Sequence, residues 1–342
     1  MNNILKSTLL LSLLTVSALS GFAADNTEKD FSYVPNIHGV LRPRFEYSTQ
    51  DGRSRFQVRN ARLAVDGRVA KSIDYFLQVD LCDQGTIKPL DFWARLRIVK
   101  GLSIQAGQFR MPFGVDCFRA PHTYIFANRS FIGKQICNFR AVGGKVTYSF
   151  DKIPLQLEAG IFNSTTITSH TVWNKEYAYS AKAAYTLDNV KFSTGFMSIY
   201  PESVRTNLID GCISWSNDRW LVEGEYMYEH YTGDSHKPCH GYNMFVDYKM
   251  PIKLALFNRL SFQGRFDGMT DHSSAKKNES GEIITNDPRR NRITVGSTIS
   301  YIRSKNMFVD IRANYEKYFY AKDVNIAQGQ GDKFVLEMVL RF

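Results

Sequence analysis

The last ten residues, Lys333-Phe334-Val335-Leu336-Glu337-Met338-Val339-Leu340-Arg341-Phe342, put a large apolar side chain at every second position from Phe334 to Phe342. The charged Lys333, Glu337 and Arg341 fall on the other face. A period of two is the mark of a β-strand with one greasy face and one wetter face. The same period recurs along the chain. It predicts strands near residues 37–47, 56–69, 73–81, 90–99 and 102–108, then from 140–150 onward to 333–342, sixteen in all. In the fourth, Leu90, Phe92, Ala94, Leu96 and Ile98 share one face, and Asp91, Trp93, Arg95 and Arg97 share the other. Helical periodicity of useful length is absent from the sequence.

The links between these strands alternate in length. Short turns are expected at 70–72, 100–101, 151–154, 188–189, 216–219, 251–253 and 304–306. Longer polar links fall at 163–176, 231–240, 268–290 and 316–332. A transmembrane up-and-down barrel sorts its turns in this way, with short periplasmic turns and long external loops. The expected fold is therefore all-β: an antiparallel transmembrane barrel of about sixteen strands. The longest link, 110–139, lies between strands 5 and 6, and a connection of that length in a compact domain is usually functional. It is expected to fold inward. Capping the mouth or resting on a neighbouring subunit is the alternative.

The amino terminus sets the compartment. Residues 1–23 carry one cation, Lys6, an apolar run from Leu9 to Leu19, and Gly21-Phe22-Ala23 with small residues where a signal peptidase cuts. That is the form of a cleaved secretory signal. It leaves 24–342 as a single barrel domain with an outer-membrane destination. No run reaches the roughly 20 apolar residues of a spanning helix.

Composition sharpens the class. Phe contributes 24 residues and Tyr 18, which suits aromatic girdles at both membrane interfaces. The mean hydropathy of −0.29 does not oppose a barrel, because lumen-facing polar residues dilute the signal. The net charge of +10 suits anions, or outer-membrane lipid and lipopolysaccharide, as partners. Nucleic acid is not expected as a partner, since no binding motif is present. Cys82, Cys117, Cys137, Cys212 and Cys239 show no Cys-x-x-Cys spacing, so neither a zinc ribbon nor a thioredoxin-like motif is supported. Cys117 and Cys137 share the long loop and could be bridged there, free thiols being the alternative. His230, Asp234, His236, Cys239 and His240 have metal-ligating chemistry but read as an exposed loop. No cofactor is expected. The catalytic motifs Gly-x-Ser-x-Gly and His-Glu-x-x-His are missing, so no enzyme is expected.

In a wide barrel the lumen holds water and the polar face points inward. Arg42, Arg44, Arg62, Arg68, Arg95 and Arg97 are the expected pore-lining, anion-facing residues, with Lys145 and Lys182 as additions. An arginine on the lipid face would cost about 2–4 kcal/mol at the midplane. Guanidinium forks suit oxyanions, and rings of Arg or Lys favour anions in pores. Arg110, Arg119, Arg129 and Lys134 of the long loop would add positive charge at the constriction, against the single carboxylate Asp116. Glu46, Asp66, Asp74, Asp80, Asp91, Glu223, Glu225, Asp267 and Glu337 share the inward phase. They can oppose the arginines or merely lock the wall.

Several stretches resemble the phosphate-selective porin O and P family. They are Gly107-Gln108-Phe109-Arg110-Met111-Pro112-Phe113-Gly114, Arg59-Asn60-Ala61-Arg62-Leu63, Tyr75-Phe76-Leu77-Gln78-Val79-Asp80, Asp91-Phe92-Trp93-Ala94, Asn128-Arg129-Ser130 and Arg140-Ala141-Val142-Gly143. The resemblance implies a sixteen-stranded homotrimeric outer-membrane channel favouring small inorganic or organic anions, with phosphate among them. The function expected is passive passage of small hydrophilic solutes. A barrel whose external loops bind a ligand or surface polymer is the alternative.

Overall fold

The computed structural model describes residues 32–342, except 165, 166, 168, 169, 174, 203, 322, 323, 325, 327 and 328. The expected signal segment lies outside the described residues. Pro35–Phe342 forms one compact unit. Within it, sixteen antiparallel strands close into a barrel in which every strand pairs with its chain neighbours and the first pairs with the last. They are β1 Asn36–Ser48, β2 Ser54–Ala70, β3 Ile73–Asp83, β4 Thr86–Val99, β5 Leu102–Arg110, β6 Arg140–Ser149, β7 Leu155–Asn163, β8 Tyr177–Leu187, β9 Val190–Ile199, β10 Thr206–Ser216, β11 Trp220–Tyr231, β12 Cys239–Leu254, β13 Phe257–Met269, β14 Arg290–Ser304, β15 Met307–Tyr320 and β16 Lys333–Arg341. Closure removes the free sheet edges that a membrane cannot satisfy.

One end of the barrel carries only tight connections, such as 71–72, 100–101 and 305–306, and the other end carries the long ones. Long-loop ends face outward from the cell. The expected turn at 251–253 falls later: β12 continues to Leu254, and the chain reverses at Ala255, whose φ is +51°. The expected long link after 316 starts later too, because β15 extends to Tyr320.

The outer face follows from the alternation. Tyr148, Tyr185, Trp215, Trp220 and Tyr301 stand exposed near the short-turn end. Tyr177, Tyr179 and Phe319 stand exposed near the other. Ile209, Ile213, Met244 and Val295 fill the band between. That is an apolar belt between two aromatic girdles. The seam is closed by the chain terminus. Gly39 N–H donates to Phe342 O at 2.8 Å and Phe342 N–H donates back to Gly39 O at 3.2 Å. The Phe342 ring fills the space a side chain at 39 would need, since a Cβ there would lie 2.1 Å from the ring Cζ.

Two β-bulges away from the turns, in β2 and β4, break the period of two. In β2, Arg42 pairs with Asn60 but Pro43 pairs with Val58, which leaves Arg59 as the extra residue. In β4, Gln78 pairs with Asp91 but Val79 pairs with Pro89, which leaves Leu90 extra. Each insertion shifts the inward phase by one toward the external end.

Candidate pore and constriction

The segment 111–139 turns into the barrel. The wall of β7 to β13 presents unusual inward residues at its external end: Phe162, Ala178, Met197, Leu208, Met227, Cys239 and Met269. Against them pack Met111, Phe113, Phe131, Ile132 and Ile136 of the loop in one buried apolar cluster. Apolar side chains on the wet face are thus the seat of the loop, and burial of that surface holds it there.

Polar anchors fix its path. Glu225 on β11 accepts hydrogen bonds from the Val115 and Asp116 N–H groups at 2.6 and 2.9 Å. Glu223 receives Arg119 at 2.6 Å. The Lys182 ammonium donates to Gly114 O. Further along, Asn314 Oδ1 accepts the Ala127 N–H at 2.7 Å, Asp267 accepts the Phe131 N–H at 3.0 Å, and Arg292 donates to Arg129 O at 2.7 Å. The loop is therefore bonded to strands on both sides of the lumen.

This seating decides which charges face the open space. Glu223 and Glu225 of β11 lie behind the loop and are engaged in holding it. The external part of the β2 to β4 wall stays open to the lumen, while Arg42 and Arg44 of β1 reach the loop at Ala127 O and Asn128. Between that wall and the loop lies an external vestibule of about 640 Å³. Its lining contains nine arginines and three lysines against two carboxylates, Glu46 and Asp83. Each of those carboxylates already bridges cations. Glu46 receives Arg44 at 2.9 Å and Arg55 at 2.5 Å. Asp83 receives Lys88 at 2.8 Å and also Arg59.

Of the expected pore residues, Arg42, Arg44 and Arg62 line this vestibule, as do Arg110, Arg129 and Lys134 of the loop. Arg42 is almost wholly enclosed: it donates to Glu337 at 2.6 Å, to Asn60 at 3.1 Å and to Ala127 O at 2.7 Å. Arg62 holds Asp80 at 2.9 Å. Arg68, Arg95 and Arg97 lie elsewhere. All three surround Asp74, at 3.2, 3.0 and 2.9 Å, toward the short-turn end. Arg119 is taken up by Asp116 and Glu223. Lys145 pairs with Glu158.

Arg110, Arg129 and Lys134 differ from the rest: among the described residues none has a carboxylate within ion-pair distance. Arg110 donates instead to the carbonyls of Cys117 and Arg119, and Arg129 donates to Asn138 and to Cys117 O. Enclosure in the barrel, together with Lys333, Arg59, Arg292 and Arg290, holds the Lys134 ammonium down to about 8.

Tyr124, in the loop, lies between two cavities. It lines the external vestibule and also a smaller cavity of about 290 Å³ on the short-turn side. The Arg42 and Arg129 guanidiniums lie 5.1 and 5.8 Å from its ring centroid. Burial opposes ionisation of its hydroxyl, but Arg129, Arg110, Arg62 and Arg42 outweigh that and hold its pKa below the usual phenol range. The short-turn cavity is mixed in charge, with Asp247 and Asp310 beside Lys249, Arg259 and Arg312. His122 lines it too. Burial and the nearby Arg341, Arg62 and Arg312 push its imidazole down to about 4, so it is neutral at neutral pH.

Sequence reasoning missed Arg55, Arg59, Lys88, Arg140, Arg292 and Lys333, all of which line the vestibule. The bulges hid Arg55, Arg59 and Lys88, because strict alternation assigns them the wrong face. Lys333 and Arg292 were visible, sharing the phase of Glu337 and lying in a strand of clean alternation. The cysteines and histidines also resolve. Cys117 and Cys137 are buried neighbours in the loop but stand as free thiols, not as a bridge. His236 turns to Lys237 O and Thr285, His240 turns to Tyr226, and Cys239 is buried toward Thr270, so the expected metal-ligating types of that loop do not converge.

A closed sixteen-strand barrel narrowed by the loop after its fifth strand, with an apolar outer face and paired charges inside, has the architecture of the porin class of outer-membrane channels. Within that class, residues 36–197, from β1 into β9, match the model of the family described as phosphate-selective porin O and P. No curated protein matches the chain in sequence. Solved barrels are similar in fold. The loop L8 deletion mutant of OmpT from Vibrio cholerae aligns over 90% of this chain and 99% of its own, at 10% identity and a TM-score of 0.59. An anion-selective porin from Comamonas acidovorans aligns over 90% and 99%, at 12% identity and 0.58. Salmonella typhi OmpF, solved with daunomycin, aligns over 90% and 97%, at 13% identity and 0.59.

Proposed function

We propose that this porin is an anion-preferring channel for small oxyanions, phosphate among them, working as an exported homotrimer in the outer membrane. The observation that carries the reading is the external vestibule. Its cations outnumber its carboxylates, and the acids of the facing wall are covered by the loop they hold. Such a funnel concentrates anions by its field before any contact is made. Guanidinium groups then offer paired donors that match the edge of an oxyanion, a geometry chloride cannot use. Arg110 and Arg129, free of carboxylate partners, are the groups placed to exchange donors from loop carbonyls to a passing anion. The anion selectivity stated for the Comamonas acidovorans barrel and the trimer form of one Vibrio cholerae OmpT structure support the same reading here.

The test is chloride current through single channels in a planar bilayer, with inorganic phosphate titrated into symmetric KCl. Progressive, saturable reduction of the current is expected. Chloride current indifferent to phosphate would reject phosphate as a ligand of the vestibule.

A further inference from the structure

Behind the constriction loop the two anchoring acids of β11 meet a thiol that the channel reading does not use. Cys212 on β10 and Glu225 on β11 are direct cross-strand partners, and Glu223 lies one inward position along from Glu225. All three are buried, and their sulfur and carboxylate oxygen atoms lie within 4.8 Å of one another. They form the one group of this kind among the described residues.

We propose that Cys212, Glu223 and Glu225 bind one thiophilic divalent cation, of the Zn²⁺ type, where the barrel wall meets the loop. The independent sign of a missing ligand is Glu223 Oε1. This residue is 4% exposed, its other oxygen holds Arg119, and Oε1 has no hydrogen-bond partner. Buried carboxylate oxygens are normally satisfied. Asn243, the β12 partner of Glu225, has an unpartnered Oδ1 as well. The shortage is of donors, not acceptors, and a cation supplies it.

The donor set fits. One thiolate and two carboxylates can occupy three of the four positions that Zn²⁺ takes, with water in the fourth. The sulfur favours Zn²⁺ over the hard cations Mg²⁺ and Ca²⁺. On binding, the Cys212 thiol releases its proton to solvent as the sulfur–metal bond forms, so affinity rises with pH. Arg119 offsets the excess negative charge of the three ligands. Because Glu225 also accepts the Val115 and Asp116 N–H groups, the cation would clamp the loop entrance to the wall.

The inference is independent of anion preference. It is tested on the full-length detergent-purified barrel after chelator treatment, with Zn²⁺ titrated against a colorimetric competitor and Co²⁺ as a spectroscopic probe of thiolate ligation. Expected are one Zn²⁺ per chain and a sulfur-to-cobalt charge-transfer band. Cys212→Ala should abolish the band, and both Cys212→Ala and Glu223→Gln should weaken Zn²⁺ about tenfold or more. Cys137→Ala and Cys82→Ala should leave both readouts unchanged. Heat-modifiable gel migration checks that each variant folds. If Cys212→Ala does not fold, the cobalt band of the unaltered protein and the near-isosteric Glu223→Gln decide. Absence of Zn²⁺ binding, or binding lost in Cys137→Ala but kept in Cys212→Ala, would overturn the site.

Discussion

Replacing Lys134 with methionine removes a vestibule cation while leaving the anchors of the constriction loop in place. Its backbone N–H bonds to Ser130 O, and its ammonium has no hydrogen-bond or ion-pair partner among the described residues. Near contact, a unit charge pair is worth about 1 kcal/mol in bulk water, and more between low-dielectric walls. Taking that lower value, the loss costs a monovalent anion about fivefold in entry and a dianion about 25-fold, since 1.4 kcal/mol is a factor of ten. Low salt is needed, because the Debye length is about 10 Å at 0.1 M. The pH dependence gives a second handle. The folded-state pKa is lowered to about 8, so the ammonium is charged below that value and neutral above it. Raising the pH from about 7 to 9 should therefore weaken anion selectivity in the unaltered channel. Lys134→Met should start at the weaker level and lose most of that pH step. The assay is the reversal potential in planar bilayers at the two pH values. A Lys134→Met channel with unaltered selectivity, or with a pH step of full size, would refute the reasoning.

Two further perturbations probe the frame. Arg42→Met removes donors from Glu337, Asn60 and Ala127 O together; breaking a buried pair costs about 3–5 kcal/mol, and the lower end is expected because Arg312 also holds Glu337 at 3.3 Å. Denaturant unfolding in detergent should show that loss, and an unchanged midpoint would contradict the role assigned to Arg42. Gly39→Leu puts a side chain into the Phe342 ring at the barrel seam, so the heat-modifiable folded fraction should fall sharply; normal yield of folded barrel would show that the seam tolerates another packing.

The strands were legible because lipid outside and water inside impose a period of two that turns interrupt. Phe334 to Phe342 and Phe92 to Leu96 show it plainly, whereas Leu90, expected on the face of Phe92, is the bulge residue and lines the vestibule instead. The sorted loop lengths gave the barrel its two ends, and the length of 110–139 marked the constriction. What remained hidden was local. A bulge cannot be read from hydrophobicity when both neighbouring residues are polar, as at Arg59-Asn60, and this concealed Arg55 and Arg59 of the basic vestibule wall. Nor does alternation show where along the pore a residue sits, which is why Arg95 and Arg97 grouped with Arg42 on paper but gather round Asp74 in the fold. The seat of the loop did leave a trace: Met197, Leu208 and Met227 are apolar on a face that should be wet.

The most direct test of the account is the reversal potential of the unaltered channel under a KCl gradient at neutral pH and low salt. A basic vestibule whose opposing acids are covered by the loop predicts a potential displaced toward the chloride equilibrium value, with the displacement shrinking as salt rises. A potential displaced toward the potassium value would contradict it.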